Sequence, residues 1–134
     1  MLAMPQLRIS EAATLLGVSD DTVRRWADQG RLPVERSQTG RMQVEGRDLA
    51  ALAQELAADQ ESGLHTSARN QLRGIVTKVT RDTVMAQVEL QCGPFRVVSL
   101  MSAEAVDELG LEPGVVAIAS IKATQVVVAL PAER

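Results

Sequence analysis

The sequence is nearly devoid of aromatic residues: Trp26 and Phe95 stand alone, and there is no tyrosine. Single-stranded nucleic acids and RNA are gripped by stacking bases on aromatic platforms, so the scarcity argues against that mode of binding. Cysteine occurs once, at Cys92, so no disulfide can form within the chain. A reducing cytoplasm is the expected setting. His65 is the sole histidine, in a Gly/Ser/Thr-containing stretch that reads as linker. One His and one Cys leave little for metal ligation or a nucleophilic triad. No paired carboxylates and no Gly-x-x-x-x-Gly-Lys phosphate loop are present either, so no catalysed reaction is expected. No apolar run exceeds five residues, as at 115–119 and 126–130, too few to cross a bilayer as a helix. Residues 1–8 lack the apolar core of a signal peptide. Positive charge is not in excess: 14 Lys and Arg face 17 Asp and Glu, for a net −3. A uniformly basic coat is excluded, and any DNA contact must come from a local patch.

The chain has 134 residues, 46% hydrophobic and 23% charged, the balance of one ordinary globular domain or two small ones. Its character changes near residue 62. Residues 1–62 hold seven Arg, no Lys and ten acids, whereas residues 63–134 hold seven basic and seven acidic residues. The first half has helical periodicity and the second the period of short strands.

Ser10 is placed to cap a first helix, with Ile9, Ala12 and Leu16 at helical spacing and Gly17 as its stop. Ser19 caps a second helix, whose Asp20 and Asp21 suit the positive end of the helix dipole. Val23, Trp26 and Ala27 form its apolar face, and Gly30 ends it. Two short helices joined through Gly17-Val18-Ser19 form a helix-turn-helix pattern. Pro33 and the Thr39-Gly40 turn signal predict a small hairpin over 32–44. A third helix follows from Gly46, with Leu49, Leu52, Ala53 and Leu56 on one face. From Gln71 onward, strands are expected around 75–79, at 84–90, 95–101, 115–121 and 126–130. Cys92-Gly93-Pro94 forms a turn holding a partly buried thiol of open role. Ser102 caps a short helix that Gly110 stops. Five strands and one helix predict a small barrel of the OB type. The fold class is therefore α+β in two domains.

The ordered set Leu7-Arg8-Ile9-Ser10-Glu11-Ala12-Ala13, Leu16-Gly17-Val18-Ser19, Thr22-Val23-Arg24-Arg25-Trp26 and Gly30-Arg31-Leu32-Pro33 resembles the winged helix-turn-helix of the MerR/excisionase class. In that class the second helix enters the major groove of double-stranded DNA and the wing touches the backbone. Between Arg24 and Arg47 six Arg face three acids, a local footprint inside an acidic half. Arg24 and Arg25 lie on the recognition helix, Arg36 and Arg41 on the wing, and Thr22 within reach of a base edge or phosphate. Arginine forks pair with guanine or phosphate in bidentate fashion. Asp20 and Asp21 depart from the class, which often has basic or neutral polar residues there.

Ser67-Ala68-Arg69-Asn70-Gln71-Leu72-Arg73-Gly74, with Ser102-Ala103-Glu104-Ala105, Leu109-Gly110-Leu111-Glu112-Pro113-Gly114 and Ile121-Lys122-Ala123-Thr124, is similar to the molybdate-binding Mop/TOBE domain. The resemblance implies an oxyanion, molybdate or tungstate, held between subunits of a homodimer or hexamer, with no organic cofactor. Carried over by position, the ligands are Ser67, Arg69, Ser102, Lys122 and Ala123, while Asn70 holds the local backbone. Hydroxyls, cationic side chains and the N–H groups of the 102–109 helix suit a tetrahedral dianion. Taken singly, Ser102 is an N-cap, Lys122 a strand-end charge and Arg69 a linker contact.

The expected organisation is a winged helix-turn-helix over 1–60, a linker at 61–66 and a Mop/TOBE domain over 67–134. The expected function is a molybdate-responsive DNA-binding transcriptional regulator. The alternatives are an intracellular molybdate store, or an excisionase-like architectural protein whose barrel only assembles copies.

Overall fold

The computed structural model describes residues 4–58 and 64–132. The chain divides into two compact units, Met1–Glu61 and Ser62–Arg134, and each has its own apolar core. Part of the expected linker, 61–63, lies outside the described residues. Among the described residues, no helix is long and apolar enough to cross a membrane.

The first unit runs β1 (Gln6–Arg8), α1 (Ile9–Leu16), α2 (Asp20–Asp28), β2 (Glu35–Arg36), β3 (Met42–Glu45) and α3 (Gly46–Ala58). Helix α1 starts earlier than its best capping residue suggests. Its N-cap is Arg8, not Ser10. The reason is Glu11, whose carboxylate accepts hydrogen bonds from the Arg8 backbone N–H and from Arg8 Nε, both at 3.1 Å. A glutamate reaching back to the N-cap amide is half of a capping box. Gly17 ends α1 at φ 69°, in the left-handed region open to glycine. Ser19 then caps α2, its Oγ accepting from the Thr22 N–H at 3.2 Å.

Strands β2 and β3 form the expected hairpin, with Arg36 opposite Met42. Strand β1 was not anticipated. It pairs antiparallel with β3, Leu7 opposite Val44, and makes the sheet order β1-β3-β2. The helices close on this small sheet through Ile9, Ala12, Val23, Trp26, Leu32, Val44, Leu49 and Leu52, all buried.

The second unit runs β4 (Asn70–Arg81), β5 (Met85–Cys92), β6 (Phe95–Ser102), α4 (Ala103–Leu109) and β7 (Val116–Ile121), with the antiparallel order β6-β5-β4-β7. Strand β4 serves two neighbours in turn. Residues 70–75 pair with β7, residues 75–81 pair with β5, and a bulge falls between Val76 and Lys78. Bulges bend a strand and increase its twist, so β4 carries the sheet around a core of Val76, Ala86, Val88, Leu90, Cys92 and Val106.

Three local expectations are corrected. Val84 lies outside β5 and is 67% exposed. The Asp82 carboxylate accepts from the Val84 and Met85 N–H groups at 2.7 and 2.8 Å, which makes residues 82–84 a turn. Cys92 pairs with Phe95, leaving Gly93-Pro94 as the turn, and the thiol is buried. The fifth strand is absent: a 3-10 turn, Ala123–Gln125, follows β7, and residues 126–132 form no strand. Val127 is 92% exposed and Val128 86%. Branched residues favour extended backbone, but a strand exists only when another backbone pairs with it.

Gly74 sits where β4 approaches the end of β5. A Cβ there would lie 2.5 Å from both Cys92 Sγ and the Gln91 carbonyl oxygen. Gly74→Ala is expected to cost about 1–3 kcal/mol through overpacking, read as a lower Tm of the full chain. Adding Cys92→Ala should relieve only part of the loss, because the Gln91 clash is with backbone.

Candidate functional site

In the first unit, the N-terminal turns of α2 and the hairpin carry the candidate DNA contacts. Thr22 is half-buried, its Oγ1 2.9 Å from Ser19 Oγ, so its hydroxyl is tied to the helix cap. Arg24 Nη1 lies 3.5 Å from Asp21 Oδ1, a loose pair between two exposed side chains. Such pairs contribute little and are readily exchanged. Arg25 is exposed. Arg36 donates to the Gly40 carbonyl at 2.8 Å and braces the hairpin turn. Arg41 has its backbone N–H bonded to Ser37 Oγ at 3.2 Å.

A cleft of about 370 Å³ opens where the starts of α1 and α2 meet the hairpin turn, and Arg8, Ser10, Asp20, Arg24, Arg36 and Arg41 are among its lining residues. Arg24, Arg36 and Arg41 are thus brought together, whereas Thr22 and Arg25 do not line the cleft. Arg8 was missed as a site residue, since its position depends on the pairing of β1 with β3, with Arg8 opposite Gln43. The Glu11 carboxyl beside it is held below the ordinary glutamate range, first by the hydrogen bond from the Arg8 backbone and then by that from its side chain. No cluster of His, Cys, Asp and Glu able to hold a metal ion occurs among the described residues.

In the second unit the five candidate oxyanion ligands fall into two groups. Ser67 and Arg69 are exposed on either side of buried Ala68, just ahead of β4. Asn70 Nδ2 donates to the Ile121 carbonyl at 3.1 Å, which ties the start of β4 to the end of β7. Asn70 and Ile121 are also the last register pair, so Arg69 and Lys122 leave the ladder side by side. Lys122 is exposed and leads into the 3-10 turn that begins at Ala123. Gln71, not singled out beforehand, belongs to the same corner. Its Nε2 donates to the Ala68 carbonyl at 3.3 Å, while its Oε1 is buried without a partner.

Ser102 lies elsewhere. It ends β6 opposite Met85 and caps α4, its Oγ accepting from the Ala105 N–H at 3.1 Å. The hydroxyl proton is left to donate. The Ala103 N–H already bonds the Val84 carbonyl at 2.8 Å, so fewer amides are open at this helix start than expected. Glu104 adds a carboxylate to the same turn. Met85 borders the Arg81 end of β4, because the β4–β5 register stops at Arg81 opposite Ala86. Ser102 therefore belongs to one end of the twelve-residue strand β4, and Arg69 and Lys122 to the other. At about 3.3 Å per residue, the contour between these ends is roughly 36 Å. The registers do not bring Ser102 beside Ser67, Arg69, Lys122 and Ala123 within one chain.

Residues 66–128 match the TOBE domain family, and residues 7–57 match a helix-turn-helix domain family. Molybdenum-pterin-binding protein 3 of Clostridium pasteurianum is 40% identical over 63 residues, which span 46% of this chain and 93% of that protein. A probable molybdenum-pterin-binding protein of Haemophilus influenzae is 48% identical over 63 residues, 46% of this chain and 91% of that protein. The structure of a molybdate-binding protein from Sporomusa ovata is similar at a TM-score of 0.48 and 30% identity, over 50% of this chain and all of that one.

Proposed function

The chain belongs to the TOBE domain family of the molybdenum-pterin-binding proteins, and on that footing we propose that it is a DNA-binding transcriptional regulator whose signal is molybdate or tungstate. The observation that carries the reading is the union in one chain of a helix-turn-helix match, on a unit with an arginine-lined cleft, and a TOBE match. The first unit acts as a winged helix-turn-helix. Helix α2 presents Thr22, Arg24 and Arg25 to the major groove, and the hairpin presents Arg36 and Arg41 as the wing. No step of catalysis is involved. The protein works in the cytoplasm, where the Cys92 thiol stays reduced.

The oxyanion is held by Ser67, Arg69, Lys122 and Ala123 of one copy and Ser102 of another. Two observations support a site shared between copies: the register separates the two donor groups, and residues 126–130 expose a β-favouring apolar run that pairs with no strand among the described residues. That run supplies the missing fifth strand when copies assemble as a dimer or hexamer. An anion bridging two copies favours particular arrangements of them, and by linkage DNA changes anion affinity by the same factor.

The test is titration calorimetry of the full chain with molybdate, using sulfate and phosphate as controls. A gel shift then follows, with and without molybdate, on a duplex selected from a random pool. Selective molybdate binding and a molybdate-dependent shift support the reading. Absence of both overturns it. Arg24→Ala with Arg25→Ala should weaken binding to the selected duplex roughly a hundredfold, because each arginine fork contributes about 1–3 kcal/mol, while the calorimetric response to molybdate stays unchanged. Retained DNA affinity at moderate salt would refute the assignment of α2 to the groove.

A second reading, oxyanion storage, is favoured by the Asp21–Arg24 pair, which sets a carboxylate on the face that would meet DNA. Tight molybdate binding with no shift of any duplex would select it.

A further inference from the structure

The cleft between α1, α2 and the hairpin turn gathers three of the arginines assigned above, Arg24, Arg36 and Arg41, and adds Arg8, which that assignment leaves out. Four guanidinium-bearing residues line it, Arg8, Arg24, Arg36 and Arg41, together with Ser10 and one acid, Asp20. They come from four separate places in the chain: β1, α2, β2 and the turn before β3. Four like charges around one concavity draw an anion towards it, and the pairing inside the unit is between exposed groups. Arg8 Nε bonds Glu11 at 3.1 Å, and Arg24 reaches Asp21 only at 3.5 Å. Arg36 spends one nitrogen on the Gly40 carbonyl, which leaves most of its fork open. With Glu11 and Asp21 counted beside Asp20, four arginines face three carboxylates, and the wall keeps a small positive balance. The mouth is flanked by α2 on one side and the hairpin turn on the other, the two elements assigned to groove and backbone above.

We infer that this cleft seats a backbone phosphodiester of duplex DNA, and that Arg8, the N-cap of α1 at the end of β1, is a phosphate-contacting residue. The inference rests on the DNA-binding reading and deepens it: a phosphate here fixes how far α2 enters the groove. A phosphate contact positions the protein without reading sequence, so the contribution of Arg8 is the same for every duplex. Asp20, on the same wall, opposes the phosphate and keeps non-specific affinity low. The recognition helix's acidic start thereby acquires a role beyond capping.

The experiment measures fluorescence anisotropy of the full chain with two labelled duplexes of unrelated sequence, over salt from about 50 to about 200 mM. Arg8→Ala is expected to lower affinity roughly tenfold for both duplexes alike and to reduce the slope of log affinity against log salt by about 1. Asp20→Asn is expected to raise affinity a few-fold for both, by removing like-charge repulsion with the phosphate. Glu11→Gln breaks the ion pair with Arg8 while leaving Arg8 and an acceptor for the helix start in place, and should not weaken binding. An unchanged slope in Arg8→Ala, or an equal loss in Glu11→Gln, overturns the inference and assigns Arg8 to capping alone. If the wild-type chain binds neither these duplexes nor the selected one, the DNA-binding reading falls and the seat falls with it. Wild-type binding that is unaffected by Arg8→Ala removes the seat only. Free inorganic phosphate that competes as strongly as an equal concentration of duplex phosphate would show a small-anion pocket and also overturn it.

Discussion

Lys122→Ala combined with Ser102→Ala is expected to abolish molybdate binding by the full chain while both units remain folded. Each substitution removes one charged or hydroxyl donor to a dianion. A hydrogen bond to a charged partner contributes about 1.5–3 kcal/mol, so each single variant should weaken binding roughly tenfold to a hundredfold and the double variant should show no heat. Ser102→Ala also removes the cap of α4, whose Oγ accepts from the Ala105 N–H, at a cost of about 1 kcal/mol in stability. Ser102→Thr keeps both the cap and the donor and should bind normally. The two donor groups lie at opposite ends of β4, and this makes a sharper test possible. Lys122→Ala copies mixed and co-refolded with Ser102→Ala copies should recover binding, because a mixed pair contains one site with both donor groups intact. Recovery cannot occur if each chain builds its own site. Unchanged affinity in the double variant would refute the ligand assignment, and failure of the mixture to recover would refute its division between copies.

Trp26→Ala is expected to unfold the first unit and leave the second intact. Trp26 is 8% exposed and packs in a cluster with Ile9, Ala12, Val23, Leu32 and Leu52. Truncating a buried Trp costs about 3–5 kcal/mol, comparable with the whole stability of a domain this small. Calorimetric melting of the full chain should lose the transition belonging to the first unit. DNA binding should vanish, while the heat of molybdate binding is retained, since the core of the second unit contains none of these residues. A single transition that shifts as a whole, with loss of both binding activities, would show that the two units melt together.

Much of this organisation is legible in the sequence because it is written locally. Ser19 two residues after Gly17 marks a helix start after a helix stop, and Ser102 and Gly110 bracket α4 as expected. The alternation in β5 is plain because Ala86, Val88 and Leu90 all face one core. What escapes depends on partners far along the chain. Three residues of β1 carry too little periodicity to be seen, and only pairing with β3 makes them a strand. That pairing also sets Arg8, the N-cap of α1, on the wall of the cleft. Ser10 outranks Arg8 as a capping type, yet Glu11 decides the start by bonding the Arg8 amide. The alternation of β5 reads on to Val84, but Asp82 captures the amides of Val84 and Met85 and turns the chain there. The run at 126–130 has every local mark of a strand, and pairs with no strand among the described residues. For the candidate anion ligands, resemblance supplied their identity by position, whereas their division into two groups required the registers of β4.

That division has a consequence for the cell that makes the protein. If the site is shared as proposed and the copies associate reversibly, its two halves reside on different molecules and it is filled only once they meet. The anion concentration needed for half-response then depends on how much protein is present, by mass action. A dilute pool is deaf to the anion at levels a concentrated pool detects. Control of the protein's own synthesis would therefore set the threshold of the response, with no change in any side chain.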